Sequence, residues 1–428
     1  MSLLGNPSAN FAWCSQQKRS VEAKSLKTSA CSLGSEPESK RQPIIQKESI
    51  EAKYLASSET KCFCTSTQEA NLPISTGKRV LVTGGAGFIG SHVAEVLLAR
   101  GDEVLVVDEV NDYYDVRLKR ANLKRLTKKW GAERLRVYEG DICDEPFISA
   151  IFEREKPKWI VHLAARAGVR PSIQDPFIYI HSNVEATTRL LELARKHGNE
   201  NFVFASSSSV YGGSKKEVFS ESDVVDFPVS PYAATKKSCE LMSYTYHHLY
   251  GMNIAGLRFF TVYGPRGRPD MAPFKFVDRV SRGVEIQQFG DGSSSRDYTY
   301  IDDIVDGVVR SMDRPLGYQI YNLGNGNPVG LKHFISIVEE ATGKKANIRV
   351  LPDQPGDVPR TAADISKARR LLGYEPKVAF ADGIQRLAEW YRTEYVGLGE
   401  EPETTKPVSK STSMVSFILG SHNEAGMI

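Results

Sequence analysis

Apolar positions change their spacing within residues 78–100, KRVLVTGGAGFIGSHVAEVLLAR. Residues 79–83 are a short valine-rich run, the pattern of a buried strand; after Gly90 the apolar residues Val93, Val96 and Leu97 recur at helical intervals with alanines beside them. The exchange of periods repeats downstream. Strand-like runs at 103–107, 135–138, 159–161 and 202–205 alternate with helical patterns at 111–130, 145–154 and 178–196. Such alternation predicts an α/β fold on a largely parallel, doubly wound sheet. Residues 111–130 are rich in lysine and arginine, but Asp112, Asp115, Val116, Leu123 and Leu126 make them an amphipathic surface helix rather than a nucleic-acid patch.

Between the first strand and the first helix lie Gly84, Gly85, Gly87 and Gly90. Glycines there allow a tight turn off the strand, an approach of bare backbone to a pyrophosphate, and close contact of helix on strand. Phosphates are expected at the positive end of the helix that begins near Phe88. The second strand runs into Asp108, close to the spacing of about 20 residues at which an acid accepts hydrogen bonds from the adenosine ribose. Taken singly, these are an ordinary glycine-rich loop and a strand-end turn residue; taken together they predict a Rossmann dinucleotide site. Glu109 follows with no arginine directly after it. Two carboxylates beside the ribose repel a 2′-phosphate, so NAD is expected over NADP.

The cofactor candidates are therefore Gly84, Gly87, Phe88, Ile89, Gly90, Asp108 and Asn111. Asp141 and Ile142, past the third strand, either hold the adenine or cap the next helix. Leu163, Ala164 and Ala165 suit the floor of a cleft at the sheet's switch point. His162, just before them, reads as a packed structural residue.

Composition narrows the picture. The chain has 428 residues, 41% of them hydrophobic, and a formal net charge of +3; that is enough for one large core or two closely joined domains and gives no reason to expect a polyanion partner. No apolar run approaches the roughly 18 residues of a spanning helix, so no membrane partner is expected. Residues 1–77 are rich in Ser, Thr, Lys and Gln and are expected to be disordered. Their opening is serine-rich with Lys18 and Arg19, and the first acidic residue is Glu22, which resembles an organellar transit peptide. A chloroplast or plastid location is the preferred expectation, a cytoplasmic protein with a plain disordered extension the alternative. Four of the six cysteines fall in this leader; Cys143 and Cys239 remain for the folded part, which implies a reducing compartment. Cys62 and Cys64 match no usual zinc spacing, and no metal is expected. Residues 396–428 are again polar and irregular, the pattern of a disordered tail.

The strand at 202–205 runs into Ser206, Ser207, Ser208 and Ser209, then Val210, Tyr211 and Gly212. Further on, Pro231 leads into Tyr232, Ala233, Ala234, Thr235 and Lys236. Positions i and i+4 of a helix lie one turn apart on one face, so Tyr232 and Lys236 present a phenol and an ammonium together. A nearby cation stabilises phenolate, and the nicotinium of NAD adds to that field, making the phenol a usable base. Serine runs are commonly loops, and Tyr and Lys four apart occur by chance on many helices; here they follow a complete dinucleotide fingerprint.

The stretches GGAGFIG, HLAA, SSSSVYG and YAATK together resemble the extended short-chain dehydrogenase/reductases, NAD-dependent nucleotide-sugar epimerases and dehydratases, across residues 78–395. The resemblance implies an NAD-binding Rossmann domain at 78–260, interleaved with a smaller C-terminal α/β part at 261–395 that binds the nucleotide sugar. It makes Tyr232 the base, Lys236 its electrostatic partner and a ribose ligand, and Ser207 the hydroxyl that shares the proton at the sugar's carbon 4. Sugar dehydratases of the family carry an Asp-Glu pair where this chain has Ser208 and Ser209, and decarboxylating relatives a glutamate. Without an acid or base there, elimination lacks its proton carrier, and epimerisation at carbon 4 remains.

The run Arg258 to Met271 resembles the uronate 4-epimerase branch, whereas the galactose branch has asparagine where Thr261 stands. Thr261, Ser208 and Ser209 would hydrogen-bond a sugar carboxylate and Arg268 supply charge; surface carboxylates or the pyrophosphate are the ordinary partners of these arginines. Arg296 resembles the arginine that forks onto the diphosphate, Asp357 the acid on the uridine ribose, and Met271 begins the segment closing over the uracil. Gln354, commonly arginine in the galactose branch, again leans toward the uronate. The chain departs from the pattern at Arg166, where the uronate branch has glutamine, and in lacking the amino-terminal membrane helix of plant uronate epimerases.

The expected function is NAD-dependent 4-epimerisation of a UDP-sugar, UDP-glucuronate to UDP-galacturonate. The alternatives are UDP-glucose/UDP-galactose epimerisation, UDP-glucuronate decarboxylation, or a catalytically silent NAD- and RNA-binding relative. The family also implies a homodimer through two helices of each subunit.

Overall fold

The structure, a computed structural model, describes residues 76–352 and 360–399. Nearly all of the expected leader and tail, and the candidates Gln354 and Asp357, lie outside them. The central sheet contains β1 (Arg79–Thr83), β2 (Glu103–Asp108), β3 (Leu135–Glu139), β4 (Trp159–His162), β5 (Asn201–Ala205), β6 (Ile254–Phe259) and β7 (Tyr318–Leu323). Their order across the sheet is β7-β6-β5-β4-β1-β2-β3, and every neighbouring pair is parallel.

Alternation along the strands divides the core. Val80, Val82, Val104, Val106, Val161 and Val203 enter the core on one face, while Leu81, Leu105, Ile160, Phe202 and Phe204 enter the core on the other. Strands covered on both faces need apolar residues at every position, which is why these runs are continuous rather than alternating. Helices α1 (Phe88–Arg100) and α2 (Val116–Arg134) pack on the first face, and α3 (Glu145–Glu155), α4 (Ala186–Lys196) and α5 (Pro231–Tyr250) on the second. Helix α6 (Ile301–Asp313) returns to the first. The chain leaves β1 for β2 and β3 on one side and comes back through β4 on the other. That reversal opens a crevice beyond the carboxyl ends of β1 and β4.

After β6, short pairs replace the large sheet: Thr261–Tyr263 with Tyr298–Tyr300, Ile286–Phe289 with Ile348–Leu351, and Ser295–Arg296 with Val329–Gly330. Phe276 stacks on Phe334 at 4.9 Å, and Phe380 packs on Tyr298 at 4.9 Å. From within this half the chain sends β7 back into the main sheet, opposite Ile254–Phe259 of β6.

Two helices differ from the sequence pattern. The helix expected from residue 111 begins at Val116, because the Asp115 side chain caps it by accepting from the Arg117 amide, and residues 111–114 peel away. The helix expected at 178–196 contains a π-helical segment, Ile180–Glu185, between Pro176–Tyr179 and α4. Such a widened turn is frequent at functional sites. Here it carries Asn183, whose amide donates to the Arg166 carbonyl (3.1 Å) and to Thr235 Oγ1 (2.9 Å).

Candidate active site

A cavity of about 420 Å³ occupies the crevice, within the range of roughly 300–1,000 Å³ usual for cofactor and ligand sites. Its floor is the glycine turn. A Cβ on Gly90 would lie 2.1 Å from the Gly84 carbonyl oxygen, and one on Gly84, whose φ is +71°, would lie 2.7 Å from the Ala164 nitrogen. Turn, helix and β4 loop therefore meet at a distance no other residue allows. Gly87, Phe88 and Ile89 complete this side of the lining.

Asp108 is buried at the end of β2, its two carboxylate oxygens accepting from the amides of Ala86 (3.0 Å) and Val110 (2.8 Å). It both shapes the glycine turn and lines the cavity. Asn111 lines it too, accepting from Lys119 Nζ at 2.8 Å. On the far side stand Asp141 and Ile142. Asp141 forms a 2.8 Å hydrogen bond with His181 Nε2 and accepts from the Cys143 amide; the ligand-type atoms of these three residues lie within 4.8 Å of one another.

Leu163, Ala164 and Ala165 line the cavity below the switch point. His162 does not face it: Thr83 Oγ1, which accepts from the Ala164 amide, is 2.7 Å from Nδ1, and Thr187 Oγ1 is 3.0 Å from Nε2. The ring is thus a neutral structural spacer. Burial and the Lys236 charge push its pKa down to about 3, and burial together with Arg266 does the same to His92.

These rings set a pH window. The unfolded chain takes up protons on both as pH falls below about 6.5, while the folded chain refuses them, so stability is full above pH 6.5 and is lost progressively toward pH 3. At about 1.4 kcal/mol per pH unit, each ring contributes a loss of about 2 kcal/mol by pH 5. Calorimetry should show the unfolding midpoint falling between pH 6.5 and 5, before most carboxylates titrate; a flat midpoint there would refute the neutral-ring reading.

The reactive groups lie across the cavity from Asp108. Ser230 caps α5 by accepting from the Ala233 amide, and Pro231 fits the first turn. Tyr232 comes next, only 8% exposed, with Lys236 one turn on, 4% exposed. Both line the cavity with Ser207. Burial pushes the Tyr232 phenol up, while its hydrogen bond with Ser207 and the charge of Arg268 pull it down. The Lys236 ammonium donates to the Ala205 carbonyl at 2.9 Å, and burial lowers its pKa. Lys236 stands one helical turn from Tyr232, and a second cation, Arg268 from the loop before Ala272–Ser281, lowers the phenol.

Ser207, two residues past β5, is extended and accepts from the Ser209 amide at 3.1 Å, starting a 3-10 turn at Ser208–Tyr211. The turn puts Ser206, Ser207 and Ser209 in the lining and leaves Ser208 out of it. Thr261 is also outside. Its neighbours Phe260 and Val262 line the cavity, and alternation along the strand sends the side chain between them the other way. Arg296 is outside as well, in the short strand Ser295–Arg296 with Nη1 donating to the Ser295 carbonyl. Arg268 and Met271 are inside. Arg268 donates to Asp270 and, at 3.1 Å, to the Ala167 carbonyl.

Behind the serines, Glu240 on α5 and Arg258 on β6 form a two-pronged ion pair, both distances 2.8 Å, with each side chain 3% exposed. Ser206 Oγ donates to the same Glu240 at 2.7 Å. Sequence reasoning singled out neither the pair's role nor Tyr113, Tyr114 and Phe260 in the lining. The signal for the tyrosines was their place in Asn-Asp-Tyr-Tyr-Asp, aromatics where a charged helix was expected to begin.

The donor set fits NAD: glycines that admit no side chain, an acid at the end of β2, and small residues at the end of β4. The class this defines is a Rossmann dinucleotide-binding protein with a phenol and an ammonium in the cofactor cleft.

Comparison with known proteins narrows the class. The GDP-mannose 4,6 dehydratase family model matches residues 81–387. UDP-glucuronate 4-epimerase of Thermodesulfobacterium geofontis (strain OPF15) is 49% identical over 311 residues, 72% of this chain and 95% of that protein. UDP-glucuronate 4-epimerase 3 of Arabidopsis thaliana is 44% identical over 347 residues, 77% of this chain and 80% of that one. The crystal structure of UDP-glucuronic acid 4-epimerase from Bacillus cereus, in complex with UDP-glucuronic acid and NAD, is 34% identical with a TM-score of 0.69, covering 73% of this chain and 99% of that one. The chain belongs to the extended short-chain dehydrogenase/reductase family of nucleotide-sugar epimerases and dehydratases. Among the described residues no helix is long and apolar enough to cross a membrane.

Proposed function

We propose that the protein is an NAD-dependent UDP-sugar 4-epimerase that interconverts UDP-glucuronate and UDP-galacturonate. The observation that carries this reading is that Tyr232, Lys236 and Ser207 line one cavity together with the glycine turn. Tyr232 takes the proton of the sugar's carbon-4 hydroxyl, with Ser207 sharing it and Arg268 and Lys236 supplying positive field. NAD, when bound, accepts the carbon-4 hydride and returns it. The 4-keto sugar, held by its nucleotide, turns its other face to the cleft between the two transfers, and carbon 4 is inverted.

Arg268 supports a uronate substrate, since it brings a guanidinium to the reactive end of the cavity. Ser209 is the companion hydroxyl in the lining; Ser208 and Thr261 join it if the substrate draws the turn and strand inward. Holding the carboxylate suppresses loss of carbon dioxide from the β-keto acid. Met271, Arg296, Gln354 and Asp357 are assigned to the UDP half, in the part at 261–395, with 78–260 holding the cofactor.

The test is incubation of the recombinant full-length chain with UDP-glucuronate and, in parallel, UDP-glucose, followed by separation of the nucleotide sugars. UDP-galacturonate is the expected product. Formation of UDP-galactose alone, of a UDP-pentose, or of no product overturns the reading.

A homodimer and plastid residence belong to the same proposal. The helices assigned to the pairing are those around residues 178–196 and 232–250, where Ile180, Leu241 and Tyr244 are exposed apolar residues, and light scattering on the purified protein gives the mass. Fusion of residues 1–77 to a fluorescent protein reads the compartment.

A further inference from the structure

We propose that residues 109–114 form a strap across the bound dinucleotide and that Arg166 is the positioning residue that holds it shut, so that one NAD is kept through many turnovers. The inference rests on the function proposed above and goes beyond it by naming what retains the cofactor.

The sheet order sets the geometry. β1 lies between β2 and β4, so the loops leaving β2 and β4 flank the glycine turn that leaves β1. A dinucleotide stretched from Asp108 to Tyr232 must cross that turn between them. The structure ties the two loops together there. Arg166 Nη2 is 3.5 Å from a carboxylate oxygen of Glu109, and its guanidinium lies over the Tyr113 ring at 5.1 Å. The Tyr113 hydroxyl donates to the Ala167 carbonyl. Arg268 approaches the same ring at 5.3 Å and the same carbonyl at 3.1 Å. Tyr114 reaches the turn itself: its hydroxyl is 3.6 Å from where a Cβ on Gly87 would be.

All of these side chains line the cavity. Their anchors are firm at both ends. Asn183, in the π-helical segment, takes the Arg166 amide on its side-chain oxygen at 2.9 Å and returns a bond to the Arg166 carbonyl. At the other end Val110 has φ +48°, with its amide on Asp108. A β-branched residue holds such a backbone only where its surroundings over-determine it. Burial raises the Glu109 carboxyl and Arg166 opposes that rise; the Arg166 side chain is 14% exposed and that of Glu109 38%, so the guanidinium is the better-enclosed end of the pair.

Exchange of bound NAD tests the strap without reference to the sugar. The full-length holoenzyme is mixed with radiolabelled NAD and uptake is followed by filtration. Arg166→Gln should speed exchange roughly tenfold, as expected for losing an ion pair and a cation–π contact, and Glu109→Gln, which loses the ion pair alone, should speed it by roughly two- to fivefold, with the unfolding midpoint little changed in either. The swapped double variant Glu109→Arg with Arg166→Glu should slow exchange again, an outcome a merely structural role does not produce. Exchange at the wild-type rate in both single variants, or no recovery in the swap, overturns the proposal. Retention of NAD by a chain that epimerises no UDP-sugar would sink the proposed function and leave the strap standing.

Discussion

Replacing Tyr232 with Phe will lower epimerase turnover by roughly 10²- to 10⁴-fold, the usual contribution of a positioned proton-transfer group, while the protein stays folded and keeps its NAD. The ring remains, so the edge-on contact with Tyr179 at 6.1 Å and the packing at the start of α5 are preserved. The lost atom is the hydroxyl that shares the cavity lining with Ser207 and Lys236. Burial raises the phenol, which makes its surrounding cations part of its function: without them it would be a poor base near neutral pH. The variant separates binding from chemistry. Turnover should collapse with little change in apparent affinity for the UDP-sugar, because the phenol acts on the transition state more than on the bound ground state. A Phe variant with wild-type turnover would move the proton transfer elsewhere and overturn the assignment.

The second large effect concerns stability. Glu240→Gln should destabilise the fold by about 3–5 kcal/mol, the cost of breaking one partner out of a buried ion pair. That is a large part of the roughly 5–15 kcal/mol by which a protein of ordinary stability stays folded. Arg258 would keep its buried charge beside the Tyr211 ring, 4.9 Å away, without its carboxylate, and its Nη1 already has no hydrogen-bond partner. Ser206, which donates to Glu240, sits beside Ser207 and would loosen with it. A double variant, Glu240→Met with Arg258→Met, should recover much of the loss, since two apolar side chains of similar volume carry no desolvation cost. Urea midpoints at equal slope read both. A single variant as stable as the parent would show that the pair contributes little to the fold.

The fold was legible because its signals are local. Arg79–Thr83, the four glycines and the buried Val93 and Leu97 each state their structure within a few residues, although Val96, expected on the same face, is 43% exposed. The reactive pair was legible for the same reason, Tyr232 and Lys236 being one turn apart on a helix with an evident cap. What could not be read were contacts between elements distant in sequence. Nothing in Arg166 alone says that it meets Glu109, and nothing in Arg268 alone says that its charge reaches the Tyr232 phenol. Thr261 is a subtler case: the motif was visible, but whether its side chain faces the cavity depends on strand phase, which shifts by half a period with each residue. Asp108 was placed at its strand end, yet its capture of two backbone amides follows from the shape of the turn and not from its spacing.

The return of β7 to the main sheet bears on how the chain is made. Ribosomes deliver the polypeptide from its amino end, and β6 has its outer partner only after some sixty further residues have appeared. During that interval Ile254–Phe259 presents an open row of backbone donors and acceptors flanked by buried-type side chains, the kind of surface that recruits foreign strands. Completion of the cofactor half therefore waits on the sugar half, and the nascent molecule is at its most vulnerable when more than half of it has already been synthesised.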